Sequence, residues 1–210
     1  MSTTGDRPLL SRDALVDAAR EVISTVGLDA FTLRRLGDVF NVSAPAMYSH
    51  FSDKHELLRA VADIEFERLI ARYEEIERNI SADDPLGRIR AQCRNYVRMC
   101  RDDRELFRLM FLFPPAIGGI GDLPPGSELP AATRALEIAI DTVRDAIDAG
   151  ALDADEPVLP AMALWAGVHG VANIVLLGLE LPEEFVDALT DEVTNRTLLG
   201  YGARTSASAS

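Results

Sequence analysis

The sequence predicts an all-α protein, and three observations carry that reading. Apolar residues recur at three- and four-residue intervals along most of the chain, and few segments alternate in the two-residue manner of a strand. Residues that start and stop helices stand at the edges of those periodic stretches. A 48% hydrophobic content supplies a core and excludes wholesale disorder.

The first helix is expected over Arg12 to Val26, capped by Ser11 and stopped by Gly27, with Leu15, Ala19, Val22, Ile23 and Val26 as its apolar stripe. A short helix fits Thr32 to Phe40, with Leu33, Leu36 and Phe40 on one face. Asn41-Val42-Ser43 reads as a turn, since Asn tolerates positive φ. The next helix then opens with Ser43 as N-cap and Pro45 in its first turn, where a missing N–H costs nothing. Two short helices joined this way make a helix-turn-helix, whose second helix can enter a DNA major groove. The core of this three-helix head is expected at Leu15, Ile23, Leu33, Leu36 and Phe51.

Asp53-x-x-Glu56 resembles a capping box and opens a long helix to about Asn79, the expected link between head and body. Asp83-Asp84-Pro85 opens another to about Arg101, and a further one fits Asp103 to Phe113. Residues 114–127 hold four Pro and four Gly, which excludes a regular element. Helices then fit Glu128 to Ala149, Pro157 to Gly178 and Pro182 to Leu199. The expected organisation is a flexible tail over 1–9, a helix-turn-helix domain over 10–53, a helical regulatory and dimerisation domain over 54–201, and a disordered tail over 202–210.

A net charge of −13 opposes DNA binding, but its distribution does not. Residues 64–210 carry fourteen basic against twenty-five acidic side chains, whereas residues 31–60 carry four against three. The two cysteines, Cys93 and Cys100, are seven residues apart on one helix, roughly 10 Å between Cα atoms and too far for a disulfide. Free thiols fit a reducing cytoplasm. No secretory signal is read at the N-terminus. No membrane span is expected, on the reading that no charge-free apolar run reaches about 18 residues.

The head resembles the TetR family of bacterial transcriptional regulators. The residues that carry the likeness are Gly27, Thr32-Leu33-Arg34-Arg35-Leu36-Gly37, Val42-Ser43, Met47-Tyr48-Ser49-His50-Phe51 and Lys54-His55-Glu56-Leu57-Leu58. Trp165-Ala166-Gly167-Val168-His169-Gly170 is similar to the W-x-x-x-H-G phrase of one group of the family's C-terminal domains. The resemblance implies that Thr32, Tyr48 and Lys54 contact phosphates, that Arg34 reaches a base or phosphate, and that His50 lies near the backbone. Ala44, Pro45, Ala46 and Ser49 belong to the reading helix, where small side chains can meet thymine methyls. Ala44 stands where the family often has Lys, and Ser49 where it often has a second aromatic. Both departures remove contacts. Packing in the head is the competing role for Tyr48, and capping a helix for His50.

Trp165, His169 and Asn173 stand at i, i+4 and i+8 on a helix that is apolar almost all round and therefore expected to be buried on most sides. Three polar groups in register either satisfy one another or face a cavity and a ligand. Tyr96, Met99, Cys100, Phe107, Met110, Phe111 and Phe113 form an aromatic and soft apolar group that is either core or pocket wall. The candidate ligand set is Tyr96, Cys100, Phe107, Met110, Phe111, Trp165, His169 and Asn173, with residues 114–127 as a lid or a plain loop. Ala166 and Gly170, with Phe185, Leu189 and Val193 at four-residue spacing, are the candidate dimer interface.

Neither a cofactor nor a metal site is expected: His50 and His55 are five apart, and no phosphate loop or G-x-S-x-G phrase occurs. The chain therefore reads as a non-enzyme: a cytoplasmic, homodimeric, ligand-responsive regulator with a near-palindromic double-stranded operator and a mostly apolar effector. A repressor is favoured over an activator. The rivals are an all-α binding protein that no longer reads DNA and an all-α enzyme built around His169.

Overall fold

The computed structural model describes residues 11–40, 48–116 and 129–203. Among them lie eight α-helices and no strand. Helix α1 (Arg12–Val26) begins at Ser11, whose side chain accepts the Ala14 N–H at 3.1 Å. It ends at Gly27, whose φ of 89° suits glycine and whose N–H donates to the Ile23 carbonyl. Helix α2 (Leu33–Phe40) starts one residue later than its periodicity predicts, because Thr32 is its cap and accepts the Arg35 N–H at 3.2 Å. The predicted turn and reading-helix start at 41–47, including Ser43, Ala44, Pro45 and Ala46, lie outside the described residues.

Helix α3 (Lys54–Asn79) has 26 residues and spans about 39 Å. Asp53 caps it by accepting the Glu56 N–H at 2.8 Å. The Glu56 carboxylate reaches back to the N–H and hydroxyl of Ser52, one residue earlier than a capping box requires. Helices α4 (Pro85–Asp102), α5 (Arg104–Met110), α6 (Pro130–Asp148), α7 (Val158–Leu176) and α8 (Glu183–Gly200) complete the body. Helix α5 stops at Met110, short of the predicted Phe113. Phe113 precedes Pro114, and a residue before proline is pushed out of the helical region. Its side chain is instead fully buried, 4.9 Å from the His55 ring.

One apolar core runs from head to body without a break. In the head it contains Leu15, Val16, Ala19, Ile23, Phe31, Leu36 and Phe51. Leu33, predicted as core, is half-buried, as is Phe40 on the same helix face, and Val26 at the end of the predicted stripe is exposed. Val16 takes its place in the core. Helix α3 is not the only join between head and body. Helix α5 reaches the head as well: Asp103 accepts from the Ser24 hydroxyl at 2.5 Å, Glu105 from the Leu28 N–H at 2.7 Å, and Arg108 pairs with Asp29 at 3.0 Å.

Helix α7 corrects two expectations. Its 19 residues contain no Asp, Glu, Lys or Arg, so a charge-free run long enough to cross a bilayer by length and composition does exist. In this fold it is a bundle helix, with Ala161, Leu164, Val168, Val171, Ala172 and Val175 buried. It is also less buried than its composition predicts: Leu159, Ala166, Gly170, Asn173 and Ile174 are exposed, because α4, α6 and α8 cover only one side. At the C-terminus, Gly202 and Ala203 belong to the body rather than to a loose tail. Ala203 is buried and its N–H donates to the Leu198 carbonyl at 3.1 Å.

Candidate functional site

The head presents one exposed surface around α2 and the residues before α3. Thr32, Arg34, Arg35 and Tyr48 are exposed, Tyr48 to 53%. The Thr32 hydroxyl oxygen accepts a capping bond, which leaves its proton free to donate outward at a helix N-terminus. Ser49 is exposed beside Tyr48. His50 is half-buried, and its carbonyl accepts from Arg12 at 2.9 Å. Lys54 is exposed as well, and its ammonium donates to the Phe31 carbonyl at 2.8 Å and sits 5.3 Å from the centre of the Phe31 ring. Arg12 mirrors it on the other side, 4.3 Å from the centre of the Phe51 ring and paired with Glu56 at 2.9 Å. These two cations hold the ends of the head together.

The body holds a second site, a half-open cavity of about 70 Å³ among α3, α4, α6 and α7. That is well above the roughly 10–15 Å³ that one water needs. Phe66, Leu69 and Tyr73 of α3, Ile89, Gln92, Cys93 and Tyr96 of α4, Ala132, Ala135, Leu136 and Ala139 of α6, and Leu164, Trp165 and Val168 of α7 form most of its wall. Phe111 and Pro115 close one side. Among the described residues no Asp, Glu, Lys, Arg or His lines it.

Three of the predicted ligand residues line this cavity: Tyr96, Phe111 and Trp165. The others do not. Trp165 donates its indole N–H to the Tyr96 hydroxyl at 2.9 Å, which in turn lies 3.0 Å from His169 Nδ1. His169 therefore sits behind Tyr96, and burial holds its pKa below the usual value, which favours the neutral ring as acceptor of the Tyr96 proton. Asn173 is exposed, its amide donates to the His169 carbonyl at 2.9 Å, and it does not line this cavity. Phe107 and Met110 line a separate cleft of about 110 Å³ beside Arg20, Glu65, Arg68 and Arg72. Cys100 is fully buried, with its thiol 3.5 Å from the Ala172 carbonyl, and burial pushes that thiol up to about 12.

Sequence reasoning missed the α3 and α6 walls. The alanines of α6, at 132, 135 and 139, were the available signal, because small side chains on one face leave room. Of the candidate lid over 114–127, residues 117–127 lie outside the described residues, while the Ala116 N–H is fastened to the Thr133 hydroxyl at 3.0 Å.

Two family descriptions match the chain: "Bacterial regulatory proteins, tetR family" over residues 15–61, and "Tetracyclin repressor-like, C-terminal domain" over residues 89–197. The chain belongs to the TetR family. The first match spans α1, α2 and the root of α3, and the second spans the helices that carry Gln92, Tyr96 and Trp165. Among relatives, the Tetracycline repressor protein class C of Escherichia coli is 41% identical over 54 residues, 26% of this chain and 25% of that repressor. The HTH-type transcriptional repressor AcnR of Corynebacterium efficiens is 37% identical over 59 residues, 28% of this chain and 31% of that protein. The likeness thus spans about a quarter to a third of those relatives. Across the whole fold, a protein with unknown function from Rhodococcus sp. RHA1 superposes with a TM-score of 0.75 at 25% identity, covering 93% of this chain and 99% of that one. Within this TetR-family chain, head and cavity share one helix: α3 begins at Lys54 under the head and lines the cavity with Phe66, Leu69 and Tyr73.

Proposed function

We propose that this chain is a homodimeric, non-catalytic transcriptional repressor, working in the cytoplasm, that binds a near-palindromic operator and is released by a mostly apolar small molecule. The observation that carries the reading is α3, a single helix rooted in the head at one end and walling an apolar cavity along its length. A ligand that prefers one position of α3 changes the population of head positions. Two heads must meet major grooves about 34–36 Å apart, so a small tilt of this lever decides operator fit.

Pairing is supported by the open face of α7 and α8. Ala166, Gly170 and Phe185 are exposed there, with Leu189 and Val193 half-buried beside them. Two copies meeting on this face form a four-helix interface. A Cβ on Gly170 meets nothing within 4 Å in the chain itself, so Gly170→Arg should yield folded monomer, read by sedimentation. On the DNA side, Thr32, Arg34 and Tyr48 are the outward-facing contacts, with Ser49, Ala44, Pro45 and Ala46 as the reading helix and His50 near the backbone. Lys54 acts first as the tie to Phe31.

A gel shift with the DNA upstream of the chain's own gene tests the reading. Tyr48→Ala is expected to weaken the shifted complex by about tenfold with unchanged circular dichroism. Absence of any shifted complex with folded dimer would overturn the repressor reading and leave a binding protein that does not read DNA. A rise rather than a fall of reporter expression with the bound protein would make it an activator.

A further inference from the structure

The apolar wall of the cavity is interrupted by two side chains whose hydrogen-bonding capacity is unspent. Gln92 is 5% exposed and its Nε2 donates to Thr142 Oγ1 at 2.8 Å. The Thr142 hydroxyl gives its own proton to the Ile138 carbonyl at 3.0 Å, so only an amide NH₂ can face it. That fixes the orientation of the Gln92 amide and leaves Oε1 without a partner among the described residues. Tyr73, also 5% exposed, lines the same cavity, and among the described residues no hydrogen bond reaches its hydroxyl. Burial drives the Tyr73 pKa up, so it stays a neutral phenol. The Tyr96 hydroxyl, by contrast, is engaged by Trp165 and His169.

Polar atoms left without a protein partner in an apolar wall favour a ligand that pairs with them over one that cannot. Gln92 Oε1 accepts only. Tyr73 donates or accepts. Among the described residues no charged group lines the cavity to balance a carboxylate or an ammonium.

We propose that the cavity selects a small uncharged molecule bearing a hydroxyl group, which donates its proton to Gln92 Oε1 and is met by the Tyr73 hydroxyl, while ionised analogues are rejected. This rests on the reading of the cavity as the effector site and adds its chemical class.

The test uses three compounds of one shape on the full-length protein: phenol, toluene and benzoate, read by thermal shift and by Trp165 emission. Phenol should bind saturably at neutral pH, toluene about tenfold more weakly, and benzoate not at all. In Tyr73→Phe and in Gln92→Met the preference for phenol over toluene should shrink toward unity, and because Phe and Met keep the volume, both variants should still bind toluene. Toluene or benzoate equal to phenol in the parent chain, an unchanged preference in both variants, or no saturable phenol binding would each overturn the proposal. Ala135→Trp, which fills the cavity, separates this from the effector reading. If it abolishes phenol binding yet an effector found by screening still releases the operator, the cavity class stands and its role as the effector site falls.

Discussion

The head and the body of this chain are held together by different physics. The head has a filled core, with Ala19 and Ile23 fully buried, and its ends are clamped by Arg12 over Phe51 and Lys54 over Phe31. The body leaves a space among apolar side chains and links three of its polar groups in a Trp165–Tyr96–His169 chain beside it. A reader of DNA must present one geometry. A responsive body must have two, and an unfilled space is where the second one enters.

Truncating the head core should produce the largest effect. Phe31 is 1% exposed and anchors Lys54 through both its ring and its carbonyl. Phe31→Ala is expected to cost about 3–5 kcal/mol by urea denaturation and to abolish operator binding. Phe66→Ala in the cavity wall removes a ring that already lacks neighbours on one side, so fewer contacts vanish and the cost should be smaller. Equal costs would erase the contrast between the two regions.

Enlarging a small residue sharpens the same contrast with opposite signs. Ala19→Leu pushes a side chain into filled core and should cost about 1–3 kcal/mol. Ala135→Leu grows into the cavity and should change stability by less than about 1 kcal/mol while weakening ligand binding. A melting temperature that falls as far for Ala135→Leu as for Ala19→Leu would mean the space is not available to side chains.

The same division explains what the sequence makes legible. Caps and turns are local chemistry, so Ser11, Gly27, Asp53 and Asp84 mark helix ends that the structure keeps within a residue or two. The cavity wall is not local. Leu69, Tyr73 and Val168 carry the same periodicity as any core residue, and only the packing of three other helices decides which of them face empty space. Asn173 fails for a geometric reason: eight residues at 100° each bring it about 80° round the helix from Trp165, onto the open side. Glu105 and Arg108 look in sequence like a solvated i, i+3 pair. Their role as a joint appears only once α5 lies against the head.

That joint provides the next test. Glu105 accepts the Leu28 N–H at 2.7 Å and faces Gly27, where an added Cβ would stand 3.5 Å from its carboxylate. Glu105→Ala leaves that partly buried N–H unpaired and should cost about 1–3 kcal/mol, with faster hydrogen exchange at Leu28 and the segment after it. Arg108→Ala removes a pair to the exposed Asp29 and should stay within about 0.5 kcal/mol. If head and body respond to both variants equally, the joint is an ordinary surface contact.

The smallest effect belongs to the cap where head meets α3. The Ser52 N–H, then the Arg12 guanidinium, then the Ser52 hydroxyl stabilise the ionised Glu56 carboxyl and lower its pKa from 4.5 to about 2. Because the folded carboxyl ionises at a lower pH than the unfolded one, its contribution is complete above about pH 4.5 and drains away as pH falls toward about 2. The side chain is open to solvent and the pair is screened, so the effect is read as a titration. Following the Glu56 carboxyl carbon by NMR should give a midpoint near 2, which Arg12→Met should raise toward the ordinary value. Glu56→Gln keeps an acceptor for the Ser52 N–H but loses the charge facing Arg12, so its melting temperature should fall less between pH 4.5 and pH 2 than that of the parent. A Glu56 midpoint near 4.5 in the folded parent would remove this clamp from the account of the head, leaving Lys54 and the filled core to hold it.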